Sequence, residues 1–341
     1  MNINDFDFAL PPELIAQTPL KERTASKLML IDKKTGAIEE NIFSNIIDYL
    51  KAGDVLVVNE SKVLPARLFG EKKGTKAAIE CLLLKQVTGD IWEVLLKPGK
   101  RIKPDTIISF GNGLLEAKFV EKKVDGIFLI EFFYDGIFLE LLDALGTMPL
   151  PPYIHEQLAE KDRYQTVYAK TPGSVAAPTA GLHFTNSLIN ELEEKGVIIC
   201  PVLLHVGLGT FRPVSVESVD EHIMHSEYYE MSVRTATILK NAKVEGRRII
   251  SVGTTSTRVL ESVWQKHQQF IETSGWTDIF IYPGYEWQVV NGLITNFHLP
   301  KSTLLMLVSS FSSKEIMLAA YEKAVENKYR FFSFGDAMFI K

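Results

Sequence analysis

At Met148-Pro149-Leu150-Pro151-Pro152 the grammar of this chain changes, and that change limits its possible folds more than any other feature. Upstream, an apolar β-branched run from Val55 to Val58 ends at Asn59. Strand-like segments then recur at Ala77 to Leu84, Ile91 to Leu96, Thr106 to Phe110, Leu114 to Val120 and Ile127 to Phe133. None keeps a helical period. Their joints carry turn chemistry, as at Lys73-Gly74, Thr88-Gly89-Asp90, Lys97-Pro98-Gly99-Lys100 and Gly111-Asn112-Gly113. This pattern predicts a small antiparallel barrel or sandwich.

Downstream of the prolines, helices and strands alternate, which is the pattern of an α/β domain. Helices are expected over Asn186 to Lys195, Arg234 to Glu245 and Arg258 to Gln268, and within Ser302 to Ser310 and Lys314 to Asn327. Strands are expected over Val197 to His205, Ile249 to Val252, Asp278 to Tyr282, Leu293 to Phe297, and Arg330 to Phe334 or slightly beyond. The two grammars together predict an α/β main domain with a mixed sheet, residues 1–61 and 149–341, interrupted by an all-β barrel domain, residues 62–148.

With 341 residues, 46% of them hydrophobic, the chain can bury cores for two domains. Met1 is followed by Asn2, Asn4, Asp5 and Asp7, unlike a signal peptide, and every later apolar run is broken by polar residues. A cytoplasmic protein without membrane contact is therefore expected. Cys81 and Cys200 lack the spacing of a zinc site or a disulfide framework. The net charge of -5 argues against non-specific coating of nucleic acid, but the charge is uneven. Between Lys62 and Lys118 eleven Lys and Arg face six Asp and Glu, so a basic stretch sits inside an acidic chain.

Three segments have the composition of ligand loops. Gly173 to Thr185 is rich in small residues and ends on a helix-capping threonine, although a tight packing loop would share that composition. His205-Val206-Gly207-Leu208-Gly209-Thr210-Phe211 follows a buried strand and lacks the third glycine of a dinucleotide fingerprint. Val252-Gly253-Thr254-Thr255-Ser256-Thr257-Arg258 sets four hydroxyls between a strand and a helix, where free N–H groups suit a carboxylate or phosphate. Thr295 to Pro300 and Phe334 to Ala337 are polar interruptions at strand ends. His222, His225 and Glu227 invite a metal reading, but their spacing is not that of H-E-x-x-H, so no metal is expected.

Taken together, several stretches resemble the S-adenosylmethionine:tRNA ribosyltransferase-isomerase family. They are Asp5-Phe6-Asp7-Phe8, Gly53 to Asn59, Pro65-Ala66-Arg67-Leu68, Tyr164 to Ala169, Gly173 to Thr185, His205 to Pro213, Val252 to Arg258, Tyr282-Pro283-Gly284-Tyr285, Thr295 to Thr303 and Ser333 to Met338. They run from end to end in the family's order. Lys27 stands where the family more often has arginine, and Glu60 where aspartate is common.

The resemblance implies transfer and isomerisation of the ribosyl part of S-adenosylmethionine onto 7-aminomethyl-7-deazaguanine at the tRNA wobble position. Adenine and methionine leave, S-adenosylmethionine is consumed rather than acting as a cofactor, and the protein is expected to work as a monomer. His183 or His205 is expected as base or acid near neutral pH, and Asp336 as a reader of the guanine-like edge. Phe184 and Phe211 are expected to face the sulfonium, and Thr254, Thr255 and Ser256 to hold the methionyl carboxylate. Thr179, Gly181, Gly207, Gly209, Thr210, Arg258, Asn296 and His298 complete the expected substrate contacts. Lys72, Lys73, Lys100, Arg101 and Lys103, with Lys76 nearby, are expected to meet tRNA phosphates. A metal-dependent hydrolase and a non-enzymatic RNA-binding module are the rival readings.

Overall fold

The computed structural model describes residues 1–156, 158, 160–207 and 216–341, with backbone alone at Arg101 and Asp125. The chain divides into two compact units: Met1–Ser61, Pro152–Thr171 and Ala177–Lys341 form one, and Lys62–Pro151 with Pro172–Ala176 forms the other.

Along the chain come β1 (Lys27–Ile31), β2 (Ile38–Ile42) and β3 (Val55–Asn59), then β4 (Ser61–Val63). The second unit supplies β5 (Arg67–Lys72), β6 (Ala78–Thr88), β7 (Ile91–Lys97), β8 (Ile107–Phe110), β9 (Leu115–Lys122), β10 (Ile127–Tyr134) and α1 (Phe138–Leu145). After β11 (Thr171–Ser174), which pairs with β4, follow α2 (Asn186–Glu194), β12 (Ile198–Leu204), β13 (Glu227–Met231), α3 (Val233–Val244) and β14 (Ile249–Val252). The remainder is α4 (Gly253–His267), β15 (Thr273–Thr277), β16 (Gly292–Asn296), α5 (Thr303–Phe311), α6 (Lys314–Glu326) and β17 (Ala337–Ile340).

In the second unit β5 to β10 close into an antiparallel barrel, ordered β10-β7-β6-β5-β8-β9. Period-two alternation builds its interior: Trp92, Val94 and Leu96 of β7 and Phe128, Ile130 and Phe132 of β10 all point inward. Each such side chain contributes about 1.5–3 kcal/mol by leaving water. Phe138 of α1 seals the packing, its ring 5.4 Å from Trp92 and 5.1 Å from Phe132. Gly70 is needed where β5 meets β8, because a Cβ there would lie 2.5 Å from the Phe110 ring.

The first unit is built on a nine-stranded mixed sheet, ordered β15-β13-β12-β3-β14-β16-β17-β1-β2. β12, β3, β14 and β16 run parallel, whereas β17 opposes β16 and β1 runs parallel to β17. β3 reads as an apolar run from Val55 to Val58 because the strand is buried along its whole length, Asn59 included. Leu56, Val58, Phe184, Leu188, Ile250, Ile294 and Phe339 belong to one core cluster that joins this sheet to α2. Cys81 and Cys200 are buried free thiols. No single helix among the described residues is long and apolar enough to cross a membrane.

Three expected elements move. The helix expected from Arg258 begins at Gly253, because Thr257 Oγ1 bonds back to the Gly253 carbonyl at 3.2 Å and so belongs to helix, not loop. The strand expected over Asp278 to Tyr282 lies instead at β15, where cross-strand pairing of Trp276 with Tyr228 sets the register. No strand forms from Arg330 to Phe334. Phe332 takes a φ of 75° there, and a tight turn delays the strand until Ala337.

Candidate active site

The strand directions of the first unit bring one end of each central strand to a common edge. The carboxyl ends of β12, β3, β14 and β16 meet the amino ends of β17 and β1 there, so His205, Gly253, Asn296, Asp336 and Ser26 share it. Ligands of α/β sheets commonly sit beyond such an edge.

His183 is the centre of a hydrogen-bonded chain. It ends a short 3-10 helix, Thr179–His183, and its ring stacks on Phe43 with centroids 4.9 Å apart. Nδ1 lies 2.8 Å from the Ser26 hydroxyl, Nε2 lies 3.2 Å from Asn296 Nδ2, and Asn296 Oδ1 lies 3.1 Å from the Thr179 hydroxyl. Because the Asn296 amide donates, Nε2 must accept and the ring proton resides on Nδ1, facing Ser26. Burial first, and then the charges of Arg23 and Arg330, push His183 down to about 3. The near-neutral titration expected of this residue is thus removed by desolvation, and the ring is a neutral, fixed tautomer at pH 7.

His205 differs. Burial lowers it against the opposing pull of Glu230, and its Nδ1 is buried with no hydrogen-bond partner among the described residues. The neighbouring Gly207 donates its N–H to Glu227 Oε1 at 2.8 Å. Gly209, Thr210 and Phe211 lie outside the described residues.

At the end of β14 the first turn of α4 carries no side-chain cap. Thr254 and Thr255 are half-buried and Ser256 is fully buried, and the hydroxyls of Thr255 and Ser256 are enclosed without partners among the described residues. Free N–H groups and unpaired hydroxyls therefore converge on one helix terminus. Gly253 and Ala180 approach closely at this edge, since a Cβ on Gly253 would lie 3.6 Å from that of Ala180.

Several residues expected as contacts have structural partners within the protein. Phe184 is fully buried, edge-on to Phe43 at 5.0 Å, so its faces are taken by the core and not offered to a cation. Arg258 is committed to a buried ion pair with Glu227. Asp336 has both oxygens occupied by backbone donors, Lys27 N–H and Arg330 N–H, each at 2.8 Å, and so holds the turn instead of presenting them to a base edge. His298 is buried against Thr295 and Tyr321, and burial pushes it to about 3. Gly181 packs beneath Tyr168, where its lack of a side chain is required. His222 rests on Phe280 and Glu227 is held by Arg258; among the described residues no three His, Cys, Asp or Glu gather as metal ligands.

The structure adds residues that sequence reasoning missed, above all Ser26, Phe43 and Tyr168. Ser26 is one residue before β1, and nothing in its local pattern shows that it meets a histidine 157 positions away. In the barrel, the expected basic residues come to one end. Lys73 N–H bonds the Ile107 carbonyl and Lys103 N–H bonds Thr106, which brings the β5–β6 turn beside the segment leading into β8. Lys73 is paired with Glu116 at 2.7 Å, whereas Lys100 and Lys103 are exposed.

A family model described as queuosine biosynthesis protein matches residues 3–340. Proteins of two strains of Staphylococcus epidermidis, each named S-adenosylmethionine:tRNA ribosyltransferase-isomerase, are 59% identical over 340 residues, and the match spans 100% of both chains. The crystal structure of an S-adenosylmethionine tRNA ribosyltransferase from Thermotoga maritima is 39% identical, covers 99% of this chain and 100% of its own, and gives a TM-score of 0.58. These matches support neither a metal-dependent hydrolase nor a non-enzymatic RNA-binding module.

Proposed function

The chain belongs to the queuosine biosynthesis protein family, and on that premise we propose that its sheet edge carries out ribosyl transfer and isomerisation from S-adenosylmethionine to tRNA. The acceptor is the aminomethyl group of 7-aminomethyl-7-deazaguanine at the wobble position, and the product is epoxyqueuosine with adenine and methionine released. A single-stranded loop suits this reaction, because its base enters a pocket without opening a duplex. S-adenosylmethionine is consumed, so no separate cofactor is invoked, and the enzyme acts as a cytoplasmic monomer.

The observation that most supports this reading is the pairing, on one edge, of an uncapped helix terminus with a neutral histidine network. The α4 terminus, with Thr254, Thr255 and Ser256, suits the methionyl carboxylate, the one free anion of the cosubstrate. β12 and β16 are separated by β3 and β14, roughly 14 Å at the usual strand spacing, a span fitting an extended nucleoside sulfonium. The sulfonium acidifies the adjacent ribose carbon, so a neutral imidazole can begin the sequence. His205 is assigned as that base because its Nδ1 has no partner among the described residues, while both nitrogens of His183 are engaged. His183 is assigned as a positioning residue that orients Asn296 and Thr179. The basic end of the barrel, with Lys72, Lys100 and Lys103, receives the tRNA backbone.

One assay tests the reading. Purified protein given S-adenosylmethionine and tRNA carrying the precursor base should release adenine in a one-to-one ratio with ribosylated tRNA. Adenine release independent of tRNA, or none at all, would reject it.

A further inference from the structure

On the Nδ1 side of His183, away from Asn296, Arg23 and Arg163 line a cleft of the first unit, and Arg330 stands beside it, donating to the carbonyl of Thr18, the residue before the lining Pro19. Arg23, Ser26, Arg163, His183, Ser333 and Gly335 line it. The groups assigned to the cosubstrate, Thr179, Asn296 and the α4 terminus, do not.

The three arginines are held by carbonyls rather than carboxylates. Arg23 donates to Leu182 and Asp162 carbonyls, both at 3.0 Å, and Arg163 to Lys21 and Leu20 carbonyls at 2.8 and 2.5 Å. Arg330 donates to the Thr18 carbonyl. None forms an ion pair among the described residues, and a carbonyl orients a guanidinium without neutralising it. Two donors, Arg163 Nε and Arg330 Nη1, are buried with no hydrogen-bond partner among the described residues. Burial lowers Arg23 and Arg330 from their ordinary values, Arg163 adds to the effect on Arg23, and the opposing pulls of Asp162 on Arg23 and Asp336 on Arg330 do not offset it. Enclosed, unpaired donors and surplus positive charge in a chain of net charge -5 favour an oxyanion.

We propose that this cleft binds a backbone phosphate of the substrate tRNA next to the reacting nucleotide, using Arg23, Arg163 and Arg330. The proposal rests on the ribosyl-transfer reading and extends it: His183 becomes the wall between two anion sites, one for each substrate. The cosubstrate carboxylate has its own place at the α4 terminus on the Nε2 side. A polymer phosphate is the anion left for the Nδ1 side, where the arginines are only half-buried and open to a strand running over the surface.

Arg163→Gln and Arg330→Gln in the full chain test this, with tRNA binding measured across salt concentrations and S-adenosylmethionine affinity measured in parallel. Each variant should weaken tRNA binding about tenfold and lower the salt slope by about 0.7, one single-strand phosphate contact, with S-adenosylmethionine affinity unchanged. Weakened S-adenosylmethionine binding with unaltered tRNA binding would make this the carboxylate site and overturn the proposal. So would unaltered binding of both, which would leave the arginines as staples of the chain. If the variants lose their thermal transition, inorganic phosphate titrated into the wild-type protein decides: it should compete with tRNA, and competition with S-adenosylmethionine alone, or none, would sink the idea. Wild-type adenine release, followed separately, reports on the ribosyl-transfer reading, because its failure leaves phosphate binding intact.

Discussion

Asn296 stands between His183 and Thr179, its Nδ2 3.2 Å from the imidazole Nε2 and its Oδ1 3.1 Å from the threonine hydroxyl. The amide therefore dictates the tautomer of a histidine that cannot titrate near neutrality. Asn296→Asp replaces the donor with an acceptor and forces a proton onto Nε2. Turnover should fall by about ten- to a hundredfold, within the range for a disturbed catalytic hydrogen bond, with a smaller change in KM for S-adenosylmethionine. Nitrogen chemical shifts of the labelled histidine should report the switched tautomer. Wild-type shifts with reduced turnover would place the effect elsewhere.

His183 and His298 both have folded values near 3, well below the ordinary value of 6.5. Between those limits only the unfolded chain takes up the protons, so the stabilising contribution is complete above pH 6.5 and is lost as pH falls toward 3. Two such groups give a slope of up to about 2.7 kcal/mol per pH unit. Urea unfolding from pH 7 to pH 4 should show a steep loss, and His298→Asn should flatten it by up to one proton's worth.

Gly181 admits no side chain, because a Cβ there would lie 2.0 Å from the Tyr168 hydroxyl and 2.8 Å from Thr166 Cγ2. Gly181→Ala should cost about 1–3 kcal/mol by overpacking. Adding Tyr168→Phe removes the clashing oxygen and should recover part of that loss in a thermal melt. An equal loss in the double variant would assign the cost to the contacts with Thr166 Cγ2 and the ring carbon of residue 168, at 2.8 and 2.9 Å.

The unpaired hydroxyl of Thr255 at the α4 terminus gives a separate expectation. Thr255→Val keeps the shape and removes the donor, and should raise KM for S-adenosylmethionine about tenfold, as for one lost hydrogen bond to a charged group, while tRNA binding is unchanged. A selective change in tRNA affinity would transfer this loop to RNA.

Lys100 and Lys103 lie exposed at the basic end of the barrel. Replacing both with alanine should reduce the salt slope of tRNA binding by up to about 1.8, two phosphate contacts, and leave S-adenosylmethionine binding intact. An unchanged slope would return the turn to ordinary solvated surface.

The barrel and the α/β alternation were legible because periodicity and turn residues are local. The period-two run from Ile91 to Lys97 shows its buried face directly, and the ligand-loop composition at Val252 to Arg258 marks a strand-to-helix junction that the structure contains. What sequence could not supply was partnership. His183 looked like a titrating group until Ser26, Phe43 and Asn296 enclosed it, and Arg258 looked available until Glu227 claimed it. Nor did any local signal show that Arg330 to Phe334 would turn: the turn depends on Asp336 reaching back to the Arg330 N–H. Burial and pairing are long-range outcomes, and they leave His183 neutral at this edge.

The parallel pairing of β1 with β17 also sets a timetable for synthesis. Lys27 donates its N–H to Asp336, 309 positions later. At roughly 5–20 residues per second, β1 waits about 15–60 s after leaving the ribosome before its neighbour exists. The barrel, whose strands all lie within residues 67–134, can close long before then. Throughout that interval Leu28, Met29, Leu30 and Ile31, all buried in the finished sheet, lack their β17 neighbour and can lean early only on β2 and on Phe43, Ile46 and Leu50, which share the core cluster of Leu28 and Leu30. Any chaperone that attends this protein during translation therefore has its clearest target near the amino terminus, in a strand whose place is completed last.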